Sequence, residues 1–186
     1  CIYNPLNINQ INYLSKKKIK FNFFKKKSFN LISVGRLAEQ KDHITTLRAV
    51  NNIKNKINLR LLIIGDGGEK KNLLNYINKY KLNNIVKLYK RIDNPFPLIL
   101  KSDVMLLSSR FEGLPNILLE ALALKKFIIS SDCPTGPSEI LDKGKGGILF
   151  EVGNYLDLSK KIIFLKKNYK YFQKKKKYAY NRMIRF

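Results

Sequence analysis

Six short apolar runs recur along the chain: NLISV at 30–34, LRLLIIG at 59–65, IVKLY at 85–89, DVMLLSS at 103–109, FIISS at 127–131 and GILF at 147–150. Amphipathic stretches of helical period separate them. Strand and helix in strict alternation leave little freedom, because two parallel neighbours can be joined only by a crossover long enough to be a helix. The pattern therefore predicts β-α-β units and a doubly wound, Rossmann-like parallel sheet of about six strands.

The crossovers carry their own signals. Ile44, Leu47, Val50 and Ile53 recur every three residues behind Asp42, a residue suited to cap a helix start. Glu69 to Lys81 supplies the next helix, with Leu73, Leu74 and Ile77 expected inward. Pro97 to Lys101 reads as a short one, Asn116 to Leu124 follows the fourth strand, and Tyr155 to Lys167 follows the sixth. The tail from Tyr169 to Met183 reads as a further helix, mostly polar and basic. Residues 1–28 look like a polar, lysine-rich lead-in with a turn at Asn4-Pro5. The expected organisation is thus a lead-in over 1–28, one domain over 29–168, and a terminal helix over 169–186. In such sheets ligands bind beyond the carboxyl ends of the strands where the strand order reverses. That directs attention to the loops after strands one and four, GRLAEQK at 35–41 and RFEGLPN at 110–116.

Bulk properties remove several classes. The chain of 186 residues is 45% hydrophobic, enough for one domain with a real core. No apolar run reaches the ~20 residues a membrane-spanning helix needs, and the start does not resemble a signal peptide. Because it begins with Cys1 rather than Met, the chain reads as a piece of something longer. Cys1 and Cys133 make no disulfide framework, which points to a reducing, cytoplasmic setting, and no Cys/His cluster suggests zinc. The formal net charge of +24 would ordinarily suggest nucleic acid or an anionic membrane. Yet only seven of the 37 basic residues are Arg, and Lys, Asn and Ile abound together, as AT-rich coding produces. Most of the charge therefore reads as solvated surface. The lysine runs at 16–18, 25–27 and 174–177 leave a peripheral contact with an anionic membrane as the second reading. No nucleic-acid motif is present.

The two loops hold the chemistry. Gly35 would let the backbone turn sharply after the strand, with Arg36 and Lys41 as phosphate grips, a planar fork and a point charge. In the second loop, the free N–H groups of a helix starting near Asn116 suit an anion, and Gly113 would allow close approach. Glu112 and Glu120 bracket that turn. Carboxylates repel phosphate and accept hydrogen bonds from vicinal hydroxyls, so grips and carboxylates at one sheet edge suit a sugar nucleotide. Taken alone, the two glutamates read rather as surface partners of Arg110 and Lys125.

In order along the chain, SVGRLAEQKDH, LLIIGDGGEKKNL, DNPFP, SDVMLLSSRFEGLPNILLEALA, SSDCPTGPSEIL and GKGGILFEVGN resemble the donor-binding, C-terminal half of retaining GT-B glycosyltransferases of family 4, the glycosyl transferases group 1. The signature is Glu112-x7-Glu120 set in FEGLPNILLEA. The resemblance implies hexosyl or N-acetylhexosaminyl transfer from a nucleotide-sugar, UDP-linked in the subset that CPTGPSEIL resembles, with retention, to a glycan or lipid-linked acceptor. It implies that Arg36 and Lys41 hold the diphosphate, so that no metal and no other cofactor is needed. Glu112 would address the donor sugar. Gly113, Leu114, Pro115 and Asn116 would offer backbone amides, with Gly35 beside the grips, Glu120 would take the ribose, and Arg91 and Ile92 would lie along the base. It further implies a separate N-terminal domain carrying the acceptor site, an isolated chain that binds donor but transfers nothing, and a place in the cytoplasm or at the cytoplasmic face of a membrane. Lys90, Lys125 and Phe127 depart from the family pattern. Lys125 replaces a usual glycine, at a cost of ~1–2 kcal/mol if its φ is positive. Gly65-Asp66-Gly67 reads as a strand-end turn, Cys133, Thr135 and Gly136 as a loop near the donor, and His43 as structural or solvent-facing. The competing readings are a basic module for anionic membrane or nucleic acid, and an inactive remnant.

Overall fold

The computed structural model describes residues 6–184. Six parallel strands stand in the order β3-β2-β1-β4-β5-β6. They are β1 (Phe29–Val34), β2 (Leu59–Ile64), β3 (Val86–Tyr89), β4 (Val104–Leu107), β5 (Phe127–Ser131) and β6 (Ile148–Phe150). β1 pairs with β2 on one side, Leu31 opposite Leu61, and with β4 on the other, Leu31 opposite Val104. The order therefore reverses between β1 and β4, and the crevice opens above their carboxyl ends, where the two loops lie.

Both faces of the sheet are covered, which explains why the strands read as unbroken apolar runs. Leu31, Leu61, Ile63 and Leu106 point to the face under α2 (His43–Ile53), α3 (Lys70–Lys79) and α7 (Tyr155–Lys167). Ile32, Leu62, Met105 and Leu107 point to the other, under α1 (Ile8–Ser15), α4 (Phe96–Lys101), α5 (Asn116–Ala123), α6 (Pro137–Ile140) and α8 (Gln173–Met183). Asp42 caps α2 as expected: its carboxylate accepts from the Thr45 N–H at 3.3 Å and from the Thr45 hydroxyl at 2.9 Å. α7 has the predicted limits and is capped by Asn154, which accepts from the Asp157 N–H at 2.9 Å.

The structure corrects several expectations. The lead-in contains a helix, α1, whose start is held by Asn7 accepting from the Gln10 N–H at 2.9 Å. Its stability is tertiary: Ile11 is buried, and the Asn94 side chain donates to the Leu14 carbonyl at 3.0 Å. Leu74 does not face the core but is 40% exposed. The tail helix begins at Gln173 rather than Tyr169, and it docks on this domain, burying Ala179 and Met183 against the α5 side of the sheet. Asn4-Pro5 lies outside the described residues. Lys125 does sit at positive φ, 54°, just past the end of α5. Among the described residues, no helix is long and apolar enough to cross a membrane.

Candidate active site at the carboxyl edge of the sheet

The loops after β1 and β4 are stitched together at four points. The Arg110 N–H donates to the Gln40 carbonyl at 2.8 Å, and the Gln40 side chain donates to the Phe111 carbonyl at 3.0 Å. The Ser108 hydroxyl donates to the Lys41 carbonyl at 2.9 Å, and the Lys41 ammonium reaches Glu112 Oε1 at 2.5 Å. A single 3-10 turn, Glu39–Lys41, lifts Gln40 and Lys41 into this position. Arg36 leans on the same Gln40, at 3.3 Å, and stays exposed.

Glu112 is enclosed. Its side chain is 7% exposed, and Oε1 accepts from both Lys41 and the Ser109 hydroxyl, each at 2.5 Å. Lys41 is 16% exposed, and an ammonium has two further N–H bonds to offer an anion at the mouth. Glu120 is the opposite case. Among the described residues no hydrogen bond or ion pair reaches its carboxylate, and burial alone pushes its pKa above the ordinary carboxylate value.

Between the two acids, the turn presents bare amides. α5 starts at Asn116 behind Pro115, with no side-chain cap. Among the described residues no acceptor meets the N–H groups of Gly113, Leu114, Asn116 and Ile117. A Cβ on Gly113 would meet nothing within 4 Å, so the fold itself does not require glycine there; the turn is open to solvent at that point. The turn is backed by the β5–α6 loop. Thr135 donates its hydroxyl to the Glu112 carbonyl, and Gly136, at φ 66°, passes so close that a Cβ would stand 2.0 Å from the Gly113 carbonyl oxygen.

Gly35 behaves differently from its expected role. Its φ is not in the left-handed region, and a Cβ would only touch the Lys41 stem at 3.6 Å. The tight approach belongs to Gly65, where a Cβ would fall 1.9 Å from the Gly35 carbonyl oxygen. Gly65-Asp66-Gly67 is the strand-end turn expected, directly after β2. Asp66 accepts from the Arg91 N–H at 2.8 Å and, with Gly35, Arg36, Arg91 and Ile92, lines a cavity of about 340 Å³. The Arg91 N–H and the Lys70 ammonium hold the Asp66 carboxyl below its ordinary value. Glu120 does not line this cavity. It opens on a second one, of about 290 Å³, with Asn116, Phe96 and the α1 residues Gln10 and Ile11. His43 is buried rather than solvent-facing. Its Nδ1 lies 3.3 Å from the Ser33 hydroxyl, among the described residues no hydrogen bond meets its Nε2, and burial, outweighing the backbone at Gly35 and Arg36, holds its pKa down at about 4.

A model of the glycosyl transferases group 1 matches residues 15–182. The chain belongs to that family. An uncharacterised glycosyltransferase of Methanocaldococcus jannaschii is 41% identical over 142 residues, 74% of this chain and 35% of the relative. An N-acetylgalactosamine-N,N'-diacetylbacillosaminyl-diphospho-undecaprenol 4-alpha-N-acetylgalactosaminyltransferase of Campylobacter jejuni is 31% identical over 153 residues, 82% of this chain and 40% of that protein. This glycosyltransferase chain therefore spans about 35–40% of the length of these curated relatives. Among solved structures, the pneumococcal O-GlcNAc transferase GtfA, in complex with UDP and GlcNAc, superposes with a TM-score of 0.78 at 25% identity, covering 86% of this chain and 33% of GtfA. Anabaena HepE, in complex with UDP, shares the fold with a TM-score of 0.81 at 22% identity, over 98% of this chain and 51% of that one. The six-stranded sheet is the Rossmann-like α/β fold of GT-B glycosyltransferases.

Of the predicted residues, Lys41 meets Glu112 at the head of the 113–116 turn, and Arg36 joins them through Gln40, which donates to the Phe111 carbonyl. Gly35 and Arg91 share a cavity with Arg36, and Glu120 stands apart from it beside α1. Sequence reasoning missed Gln40, Ser109 and Asp66. Asp66 had a readable signal, since a carboxylate just beyond a strand's carboxyl end faces the same crevice as the grips.

Proposed function

We propose that the chain binds the nucleotide-sugar donor, UDP-linked, of a retaining hexosyl- or N-acetylhexosaminyltransferase whose acceptor is a glycan or a lipid-linked saccharide. The observation that carries this is the Lys41–Glu112 pair at the head of a turn in which, among the described residues, the N–H groups of Gly113, Leu114, Asn116 and Ile117 meet no acceptor. Free amides and an ammonium in one loop suit a diphosphate, and held in place they cost little rearrangement when charge develops there. Arg36 and Lys41 would stabilise the departing nucleotide diphosphate without a metal. In that step the bond from the sugar's anomeric carbon to phosphate oxygen breaks and the bond to the acceptor oxygen forms on the same face. The acceptor's proton passes to the leaving phosphate oxygen. Glu112 gives its Oε1 to Lys41 and Ser109, so it addresses the donor sugar with its remaining lone pairs and holds Lys41 in place. Glu120 accepts from the ribose hydroxyls. Arg91 and Ile92 flank the base in the cavity of about 340 Å³. The Campylobacter relative's name and the UDP and GlcNAc bound to GtfA support this donor and acceptor class.

The test is isothermal titration of UDP into the chain without divalent metal, at ~150 mM salt, where weak surface attraction is screened. Binding in the micromolar-to-millimolar range, weakened by both Glu120→Gln and Arg36→Ala, is the expected result. UDP affinity unmoved by both substitutions in folded protein would remove these loops from the donor site. No sugar transfer by this chain alone is expected, because the acceptor side belongs to a separate domain.

A further inference from the structure

The sheet's two edges differ in charge. Every segment that leads into a strand carries exposed lysine, from the run 25–27 before β1 to Lys143 and Lys145 before β6. The acids in those segments are Asp103 and Asp142, and both are engaged. Asp103 accepts from the Asn30 N–H at 2.8 Å, and Asp142 pairs with Arg182 at 3.4 Å and Lys145 at 3.6 Å. The opposite, carboxyl edge carries Glu39, Asp66, Glu69, Asp93, Asp132 and Glu151 among its basic grips. The α7–α8 corner adds to the amino edge: Lys166 lies over the Phe29 ring at 5.1 Å, and Phe172 packs on Phe127 at 5.3 Å, both rings at strand starts. This corner, 164–177, contains no acid.

Lysine after a helix is favoured by the helix dipole, which accounts for one or two per crossover. It does not account for two rings standing in water at the same corner. Phe164 is 52% exposed and Tyr171 69% exposed, each packed edge-on against the buried Phe172, at 5.5 and 5.3 Å. The exposed Lys167, Lys170 and Lys174 surround them. Charge at this edge is crowded: burial first, and the neighbouring Lys176 second, hold Lys126 down at about 8.

We propose that this amino edge, centred on Phe164 and Tyr171, is a docking face for an anionic lipid surface. Aromatic rings with apolar bodies settle at the level of lipid headgroups, and flanking lysines gain from anionic lipid within a Debye length. A nucleic-acid face would favour planar Arg forks and ring faces open for stacking; here the basic residues are Lys, and the rings meet Phe172 edge-on.

The chain has no Trp, so a single Trp reports its own surroundings. With phosphatidylcholine vesicles containing roughly 30% phosphatidylserine, at ~150 mM salt, Tyr171→Trp emission should move to shorter wavelength and Phe111→Trp, at the other edge, should not. Lys167, Lys170 and Lys174 together changed to Gln should weaken vesicle co-sedimentation on the order of a hundredfold, about fivefold per lysine. Lys16, Lys17 and Lys18 changed to Gln remove the same charge beside Leu14 and Asn94, and should change it less than about twofold. Equal losses from the two triple variants, or an unshifted Tyr171→Trp with vesicles, would overturn the proposal. Tighter binding of single-stranded RNA than of vesicles through Lys167, Lys170 and Lys174 would also overturn it and assign the face to nucleic acid.

Discussion

Glu112 and Glu120 stand eight positions apart on either side of one turn, and their surroundings have nothing in common. Glu112 is closed in with Lys41 and Ser109, and its backbone carbonyl takes the Thr135 hydroxyl. Glu120 is half-buried with no partner among the described residues, and its carboxylate is disfavoured by burial. The first acid is part of what holds the molecule together. The second is held at a cost to folding, as groups reserved for a ligand often are. The signature of two glutamates therefore combines one acid tied into the loops and one without a partner among the described residues, a difference that their shared motif hides.

The largest test of this contrast is Glu112→Ala. Removing one partner of a nearly enclosed pair leaves Lys41 uncompensated and should cost about 3–4 kcal/mol, read as a drop in the urea midpoint at constant slope. A loss within experimental error would show that the corner is not structural. Next is His43, whose ring lies close enough to Lys41 for the ammonium to help depress its pKa, after burial. It titrates near 6.5 when unfolded and about 4 when folded, so between these values the unfolded chain binds the extra proton. Stability should be full above pH 6.5 and should fall by about 3 kcal/mol as pH drops to 4. His43→Asn should flatten that part of the profile, in urea melts at stepped pH, relative to the parent. On the Glu120 side, Lys125→Gly relieves the left-handed residue that ends its helix. A gain of about 1 kcal/mol is expected, reduced by the lost contact of Lys125 with Tyr180. The smallest effect is Glu120→Gln, which should raise stability by less than about 1 kcal/mol while weakening UDP binding. A Glu120→Gln chain that is clearly destabilised would erase the distinction between the two acids.

Fold and site were not equally readable. The strands were legible because burial on both faces leaves an unbroken apolar run, and Asp42 and the limits of α7 were legible because their signals are local. α1 was not, although Asn7 with Gln10 three residues on is a start signal. Its sequence is too short and polar to be stable without Ile11 in the core and Asn94 on Leu14. Leu74 misled because helical period alone does not show how wide the covered stripe is, and α3 flanks an edge strand. The residue types at the crevice were visible, but their pairing was not. Nothing local reveals that Lys41 meets Glu112, that Gln40 bridges to Phe111, or that Glu120 opens beside α1 rather than beside Arg36.

The stitching of the two loops has a consequence for the order of folding. Lys41 and Glu112 are separated by 71 positions, as are Gln40 and Phe111. β1, β2 and β3 can pair as a three-stranded half-sheet from chain already made, with modest loop closures. The stitched corner has no counterpart in that half-sheet, because every stitch needs β4 to cross back and lie beside β1. It is a high-contact-order feature on a framework of lower contact order, and such features form late. The cavity beside Arg36 and Arg91 can therefore take shape before the Lys41–Glu112 corner does, which has to wait until β4 has closed.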